Sequence, residues 1–150
     1  MGADEKLLQA CVEGDVTAVK KLLSAGAGID SKGEYGDTPL HRAARYGHAN
    51  VATLLLEAGA GIDSTRKDGD TPLHIAARRG KANVARLLLE AGADTTIKNV
   101  LNDRAEDKAT ESVRPLFESY SSEYYTAAVA SLSQLTLEPS TSSRAPIDRD

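Results

Sequence analysis

The chain repeats its own pattern at an interval of 33 positions, and this period restricts the fold more than any other feature. Residues 37–41, Asp-Thr-Pro-Leu-His, return as residues 70–74, and two alanines and a glycine follow each copy. A fixed period of this length is typical of stacked supersecondary units that cannot bury their apolar faces alone. We therefore predict an array of stacked units. Further glycines keep the same register: Gly14, Gly47 and Gly80, and Gly26, Gly59 and Gly92.

Each unit is predicted to contain two short helices. Thr38 can cap the first helix, and Pro39 suits the first helical position, where no amide donor is needed. Gly47 can then adopt the left-handed backbone conformation that ends the helix. A second helix is expected over residues 50–58. Residues 60–70 are rich in turn-forming residues and predict a hairpin-like connection.

The Thr-Pro-Leu-His motif, the Ala-Ala pair and the Leu-Leu-Leu-Glu-Ala-Gly-Ala run, together with the period, resemble the ankyrin repeat. The resemblance implies an all-α fold, an ankyrin-repeat solenoid of stacked helix-turn-helix units with hairpin-like loops. It covers residues 1–120, in units of about 1–32, 33–65, 66–98 and 99–120. The two middle units match the motif closely, and the outer two are expected to be capping repeats.

The two outer units depart from the motif at the start of their first helix. In the first unit, Asp4 is expected to replace the threonine cap. In the last unit, Asp103 and Glu106 are expected to form a capping box. A terminal unit with a more polar outer face is typical of the end of a repeat array.

Residues 121–150 leave the repeat pattern and form a Ser/Thr-rich tail. Apolar residues at helical spacing predict a helix over residues 123–136. Two later prolines and the polar composition predict a disordered end after it.

Charge and cysteine content narrow the possible partners. Residues 1–99 carry 13 basic and 13 acidic side chains, and the remainder carries 5 basic and 9 acidic ones. This balance argues against nucleic-acid binding, which needs a basic surface. Glu57 and Glu90 interrupt the longest apolar runs, so we expect no membrane span. The single Cys11 fits a reducing compartment, and no targeting segment is evident. We therefore expect a cytoplasmic or nuclear protein that is a monomer when free.

No pattern in the chain predicts catalysis. His41 and His74 lie one period apart, so a stack of repeats places them on successive units rather than around one ion. In ankyrin repeats, this histidine typically bonds to neighbouring backbone. No Gly-x-Ser-x-Gly elbow and no phosphate-binding loop with its lysine occurs. We expect no catalytic residues, no metal, no cofactor and no enzyme activity.

The resemblance instead implies a protein partner, bound through the loop tips and the concave face of the first helices. Tyr35 and Tyr46 are the strongest candidates, because the chain has only six aromatic residues and tyrosine is enriched at binding hot spots. We expect Arg45, Arg78 and Arg79 to form a basic area beside an acidic rim of Asp37, Asp68 and Asp70. The candidate partner-binding residues are Glu34, Tyr35, Asp37, Arg45 and Tyr46 in one repeat, and Lys67, Asp68, Asp70, Arg78 and Arg79 in the next.

Apolar Val100 and Leu101 stand at the last loop tip, where water is expected, so we predict that the tail or a partner covers them.

The leading hypothesis is a non-enzymatic interaction module used as an adaptor or scaffold. One alternative is a small ankyrin-type inhibitor of a kinase or another enzyme, which loss of the target's activity in the complex would reveal. A second is a structural spacer, or a fragment of a larger protein, which would capture no specific partner.

Overall fold

The computed structural model describes residues 2–120. Two helices follow each other in each of the first three units, and two shorter ones close the array. The expected helix over residues 123–136 lies outside the described residues. The helices are α1 (Ala3–Glu13), α2 (Val16–Ser24), α3 (Pro39–Tyr46), α4 (Ala49–Glu57), α5 (Pro72–Arg78), α6 (Ala82–Glu90), a 3-10 helix (Ala105–Lys108) and α7 (Arg114–Ser119).

The helices form two parallel rows. Helices α1, α3 and α5 and the 3-10 helix pack against one another in chain order. Helices α2, α4 and α6 form the second row, and α7 packs against α6. No strand occurs within residues 2–120. The predicted all-α solenoid of stacked helix-turn-helix units is confirmed.

The first helix of each middle unit begins as the sequence predicts. Thr38 is the N-cap of α3, and its hydroxyl accepts a hydrogen bond from the His41 amide. Pro39 occupies the first helical position, and Thr71 and Pro72 repeat the arrangement in α5. Helix α3 ends at Gly47, whose φ of 75° lies in the left-handed region that glycine tolerates.

The second helices of the two middle units depend on packing rather than on capping. The N-cap residues of α4 and α6, His48 and Lys81, make no side-chain capping bond. Nine-residue helices are marginal in water by themselves, so burial of one face must hold them. In α4, Val51 and Leu55 are fully buried. This helix begins at Ala49 and ends at Glu57, one residue before the predicted range at each end.

Both outer units begin differently from the prediction. Gly2, not Asp4, is the N-cap of α1, because Asp4 lies within the first turn and accepts a hydrogen bond from the Gly28 amide at 2.7 Å. In the last unit, the N-cap is Arg104, one residue later than predicted, and its amide donates to Asp107 Oδ2 at 2.7 Å; the guanidinium cannot accept the return bond, so no full capping box forms. The expected cap of the last unit was wrong because Thr38 and Thr71 align with Arg104 in the 33-residue register, and not with Asp103.

One hydrophobic core runs through the whole described stack and is built from both rows of helices. Ala105 and Ala109 are buried in the last unit, together with Val113 and Phe117. Val100 and Leu101 remain exposed to solvent within the described part of the chain. The largest fully buried side chains are Leu7, Val19, Leu40, His41, Val51, Leu55, Leu73, Ile75, Val84, Leu88, Leu89 and Val113.

Successive loop tips are joined through their backbones. The Lys67 amide donates to the Tyr35 carbonyl at 3.0 Å, and one repeat later the Val100 amide donates to the Asp68 carbonyl at 3.0 Å. These bonds hold the tips at a fixed spacing beside the first helices.

No helix within residues 2–120 is long and apolar enough to cross a membrane.

Candidate functional site

A cleft of about 120 Å³ opens between the first two loop tips and the end of α3. Two tyrosines and three arginines contribute to its lining: Tyr35, Arg42, Arg45, Tyr46 and Arg66. The buried side chains of Asp37 and His41 also line it. Four of the residues predicted from the sequence, Tyr35, Asp37, Arg45 and Tyr46, therefore meet at one site.

The two tyrosines of the cleft are open to solvent. Tyr35 is 61% exposed at the loop tip, and Tyr46 is 44% exposed at the last residue of α3. The Arg45 guanidinium lies over the Tyr46 ring, with Cζ 5.6 Å from the ring centroid. At an exposed site such a cation–π contact contributes about 0.5–1 kcal/mol. The pair offers a partner an aromatic face and a positive charge side by side.

Asp37 is held inside its repeat. Its carboxylate forms an ion pair and hydrogen bond with Arg42, five residues further along the chain. Burial by itself raises the pKa of Asp37, but the hydrogen bond and the positive charge of Arg42 outweigh burial and lower the pKa below its ordinary value. The carboxylate is thus charged and already paired at neutral pH.

Asp70 occupies the equivalent position in the next repeat and uses different partners. Arg78 Nη2 donates to its Oδ2 at 2.7 Å, and Asn99 Nδ2 donates to its Oδ1 at 2.8 Å. Burial raises the pKa of Asp70, whereas the hydrogen bonds from Asn99 and Arg78 and the charge of Arg78 lower it, and the lowering prevails.

The predicted acidic rim of Asp37, Asp68 and Asp70 is therefore wrong. Asp37 and Asp70 are only 8% and 2% exposed, because each repeat uses its carboxylate internally to hold an arginine. Asp68 is the one member of that set with a substantially exposed side chain, and it lies 3.4 Å from Arg66. The basic area is also reduced, because Arg78 is neutralised by Asp70.

The other predicted residues lie around the cleft rather than in it. Glu34 and Lys67 are exposed at successive loop tips, and Arg79 is exposed at the end of α5. None of these three lines the cleft. Their role in binding stays a prediction.

Three lining residues, His41, Arg42 and Arg66, were not among the predicted binding residues. Arg42 and Arg66 break the repeat register, since Ile75 replaces Arg42 one period later and Gly33 stands one period before Arg66. Such departures from an otherwise regular pattern were the available signal. The buried atoms Arg66 Nε and Asp37 Oδ1 have no hydrogen-bond partner within the described chain.

The two histidines stiffen the stack, as the resemblance implied. His41 Nε2 donates to the Asp70 carbonyl at 2.8 Å, and His74 Nε2 donates to the Asp103 carbonyl at 2.8 Å. The other ring nitrogen, Nδ1, accepts from the amide of Thr38 or Thr71 at 3.1 Å. This network assigns the neutral tautomer with the proton on Nε2. Within residues 2–120, no three histidine, cysteine or acidic side chains are grouped as metal ligands.

Sequence comparison agrees with this geometry. The family model for ankyrin repeats matches residues 7–99 with three copies of the repeat. The chain therefore belongs to the ankyrin-repeat family. No curated protein matches the chain in a sequence search.

Proposed function

We propose that this protein is a non-enzymatic adaptor or scaffold that binds a protein partner through the cleft and the adjoining loop tips. Ankyrin repeats generally mediate protein–protein interaction and are typically not catalytic. The observation that supports this site is the meeting of two exposed tyrosines and Arg45 at one opening on the stack. Tyrosine and arginine are both enriched at interface hot spots.

The surroundings of the cleft are suited to rigid display. Tyr46 is part of a helix whose start is capped by Thr38 and whose buried face lies in the core. Tyr35 is held through its carbonyl by the Lys67 amide. Binding to a surface that is already ordered avoids part of the entropy loss on association. The proposed mechanism is presentation of a preformed surface.

We place the protein in the cytoplasm or nucleus, as a monomer when free. The proposed compartment has chemical support, because the one cysteine, Cys11, is a free and buried thiol. A chain without a disulfide does not require an oxidising compartment.

Quantitative affinity capture with the full chain tests the proposal. Partners should bind the native chain, should be depleted by Tyr46→Ala, and should be retained by Arg86→Ala, an exposed residue of α6 in the other row of helices. Arg78→Ala/Arg79→Ala tests whether the surface extends to the next repeat. Capture of the same proteins by all variants would contradict the site. Loss of a captured enzyme's activity on adding the pure chain would indicate an inhibitor instead of an adaptor.

A further inference from the structure

The two middle repeats pair their buried carboxylate with arginines at different positions. Asp70 binds Arg78, eight residues further along the chain. Asp37 would have Arg45 at the same spacing, but it binds Arg42 instead. Ile75, which corresponds to Arg42, is 1% exposed and leaves Asp70 available to Arg78. One substitution in the register therefore changes which arginine is neutralised.

Arg45 is consequently left without a carboxylate. It forms no ion pair with any residue in the range 2–120 and lies over Tyr46 instead. Its counterpart Arg78 is neutralised at 2.7 Å. The free guanidinium is thus a property of this repeat and not of the repeat pattern.

One positive charge in the lining of the cleft has no carboxylate partner. Arg42 is balanced by Asp37, and Arg66 has Asp68 at 3.4 Å, just outside the lining. Arg45 is the remaining cation. Glu34 lies at the neighbouring loop tip but does not line the cleft. The cleft is therefore matched to a ligand group that carries a single negative charge.

We infer that the cleft takes one carboxylate side chain from an acidic segment of the partner, with Arg45 as its receptor. The exposed faces of Tyr35 and Tyr46 pack against the residues that flank this carboxylate. A phosphoryl group, with about −1.5 to −2 charge at neutral pH, exceeds the single free cation and is less well matched. This inference rests on the proposed function and specifies the chemistry of the partner at the same site.

A peptide selection tests the preference. A random peptide library is displayed on phage and selected against the full chain, and a selected peptide is then synthesised with its glutamate or aspartate unchanged, replaced by the amide, or replaced by phosphoserine. We expect acidic peptides to be enriched. The amide form should bind about three- to tenfold more weakly, a range between an exposed ion pair and a charge-assisted hydrogen bond. The phosphoserine form should bind no tighter than the carboxylate form.

Variants of the chain locate the receptor. Arg45→Gln should weaken the acidic peptide by the same factor as the amide replacement and should have little effect on the amide form. Arg86→Gln removes an exposed arginine from α6 and is the matched control, which should leave binding unchanged. Equal loss of the acidic and the amide peptide in Arg45→Gln would overturn the assignment.

Arg42→Ile introduces the residue that the next repeat has at the corresponding position, and it tests the exchange of partners most directly. Arg45 should then pair with Asp37 as Arg78 pairs with Asp70, and acidic peptides should bind more weakly although Arg45 is still present. The Arg45 δ-methylene protons should lose the ring-current shift of Tyr46 in NMR spectra. An Arg45 that keeps this shift in folded Arg42→Ile would overturn the exchange of partners. If this variant does not fold, Arg45→Gln decides the question by itself.

The outcomes separate this inference from the proposed function. Neutral or basic selected peptides that lose binding in Tyr46→Ala, or tighter binding of the phosphoserine form, would overturn the carboxylate preference and leave the binding site in place. Selected peptides that bind equally well to Tyr46→Ala and Arg45→Gln would contradict both. A selection that yields no binding peptide would overturn the inference, whereas affinity capture would still test the function.

Discussion

The His41 imidazole joins its own repeat to the next one through a 2.8 Å hydrogen bond from Nε2 to the Asp70 carbonyl, 29 residues further along the chain. Its Nδ1 accepts from the Thr38 amide at the same time. The ring is almost completely buried, at 1% exposure. One side chain therefore holds the start of α3 and the loop of the following repeat together. Both contacts require the neutral imidazole with its proton on Nε2.

Acid should weaken the protein through His41. Burial lowers the pKa of His41, and the charge of Arg66 acts in the same direction, against the hydrogen bond to Asp70. The unfolded chain takes up this proton near its ordinary pKa of about 6.5, whereas the folded state does so only at lower pH. The unfolded state thus binds more protons, and the free energy of unfolding should fall as the pH drops below about 6.5.

His41→Gln provides the measurement for this pH effect. At pH 7.5 the variant should be less stable by about 1–3 kcal/mol, because buried hydrogen bonds are lost. In urea titrations between pH 7.5 and pH 5, the difference between wild type and variant should become smaller. A difference that stays constant or grows would contradict a neutral, buried imidazole.

Leu88→Ala should cost about 2–5 kcal/mol in the free energy of unfolding, since the side chain is fully buried in α6. Leu22→Ala is the matched control, because Leu22 has the same position in the repeat register but lies in the first unit. Leu22 is only partly buried, because the first unit has a neighbour on one side alone, so its loss should be smaller. Equal costs in chemical denaturation would show that the end unit packs as tightly as the middle.

The features that the sequence predicted are local or periodic. The N-cap at Thr38 and the helix end at Gly47 each follow from a few neighbouring residues and from the 33-residue register. Repetition reinforced these predictions, because the same residue types return in the next unit. Tyr35, Tyr46 and Arg45 were assigned to one surface by the resemblance to the ankyrin repeat, which implies binding through the loop tips and the first helices.

The features that were missed depend on which groups meet across a repeat. Sequence spacing does not show whether Asp37 binds Arg42 or Arg45, since Asp37 takes the arginine five residues further along, whereas Asp70 takes the one eight residues further along. Burial of Asp37 and Asp70 is a result of these pairings. At the last unit, the register correctly points to Arg104, but an arginine is not a usual N-cap. The composition of the cap therefore favoured the wrong neighbour, Asp103.

Cys11 should resist thiol reagents in the folded protein. Burial raises the pKa of its thiol to about 12, although the charge of Arg42 acts in the opposite direction, and the residue is 0% exposed. The thiolate is the reacting species, so at pH 8 neither its population nor its access favours reaction. Labelling with a chromogenic disulfide should be slow in buffer and fast in concentrated urea. Rapid labelling of the native chain would contradict the packing of α1.

Gly69→Ala and Gly59→Ala separate two reasons why a position needs glycine, a positive φ and a close approach of another backbone segment. Both residues have positive φ, 83° and 98°, so alanine is strained at either by about 1–3 kcal/mol. A Cβ at Gly59 would meet no atom within 4 Å, whereas one at Gly69 would lie 2.9 Å from Asn99 Cα and 3.0 Å from the Val100 amide nitrogen. That amide donates the bond that joins the last two loop tips. Gly69→Ala should therefore lower the free energy of unfolding by more than Gly59→Ala and should speed hydrogen exchange at the Val100 amide. Equal losses in urea titrations, with unchanged exchange at Val100, would show that the loop tips are not held by this close backbone contact.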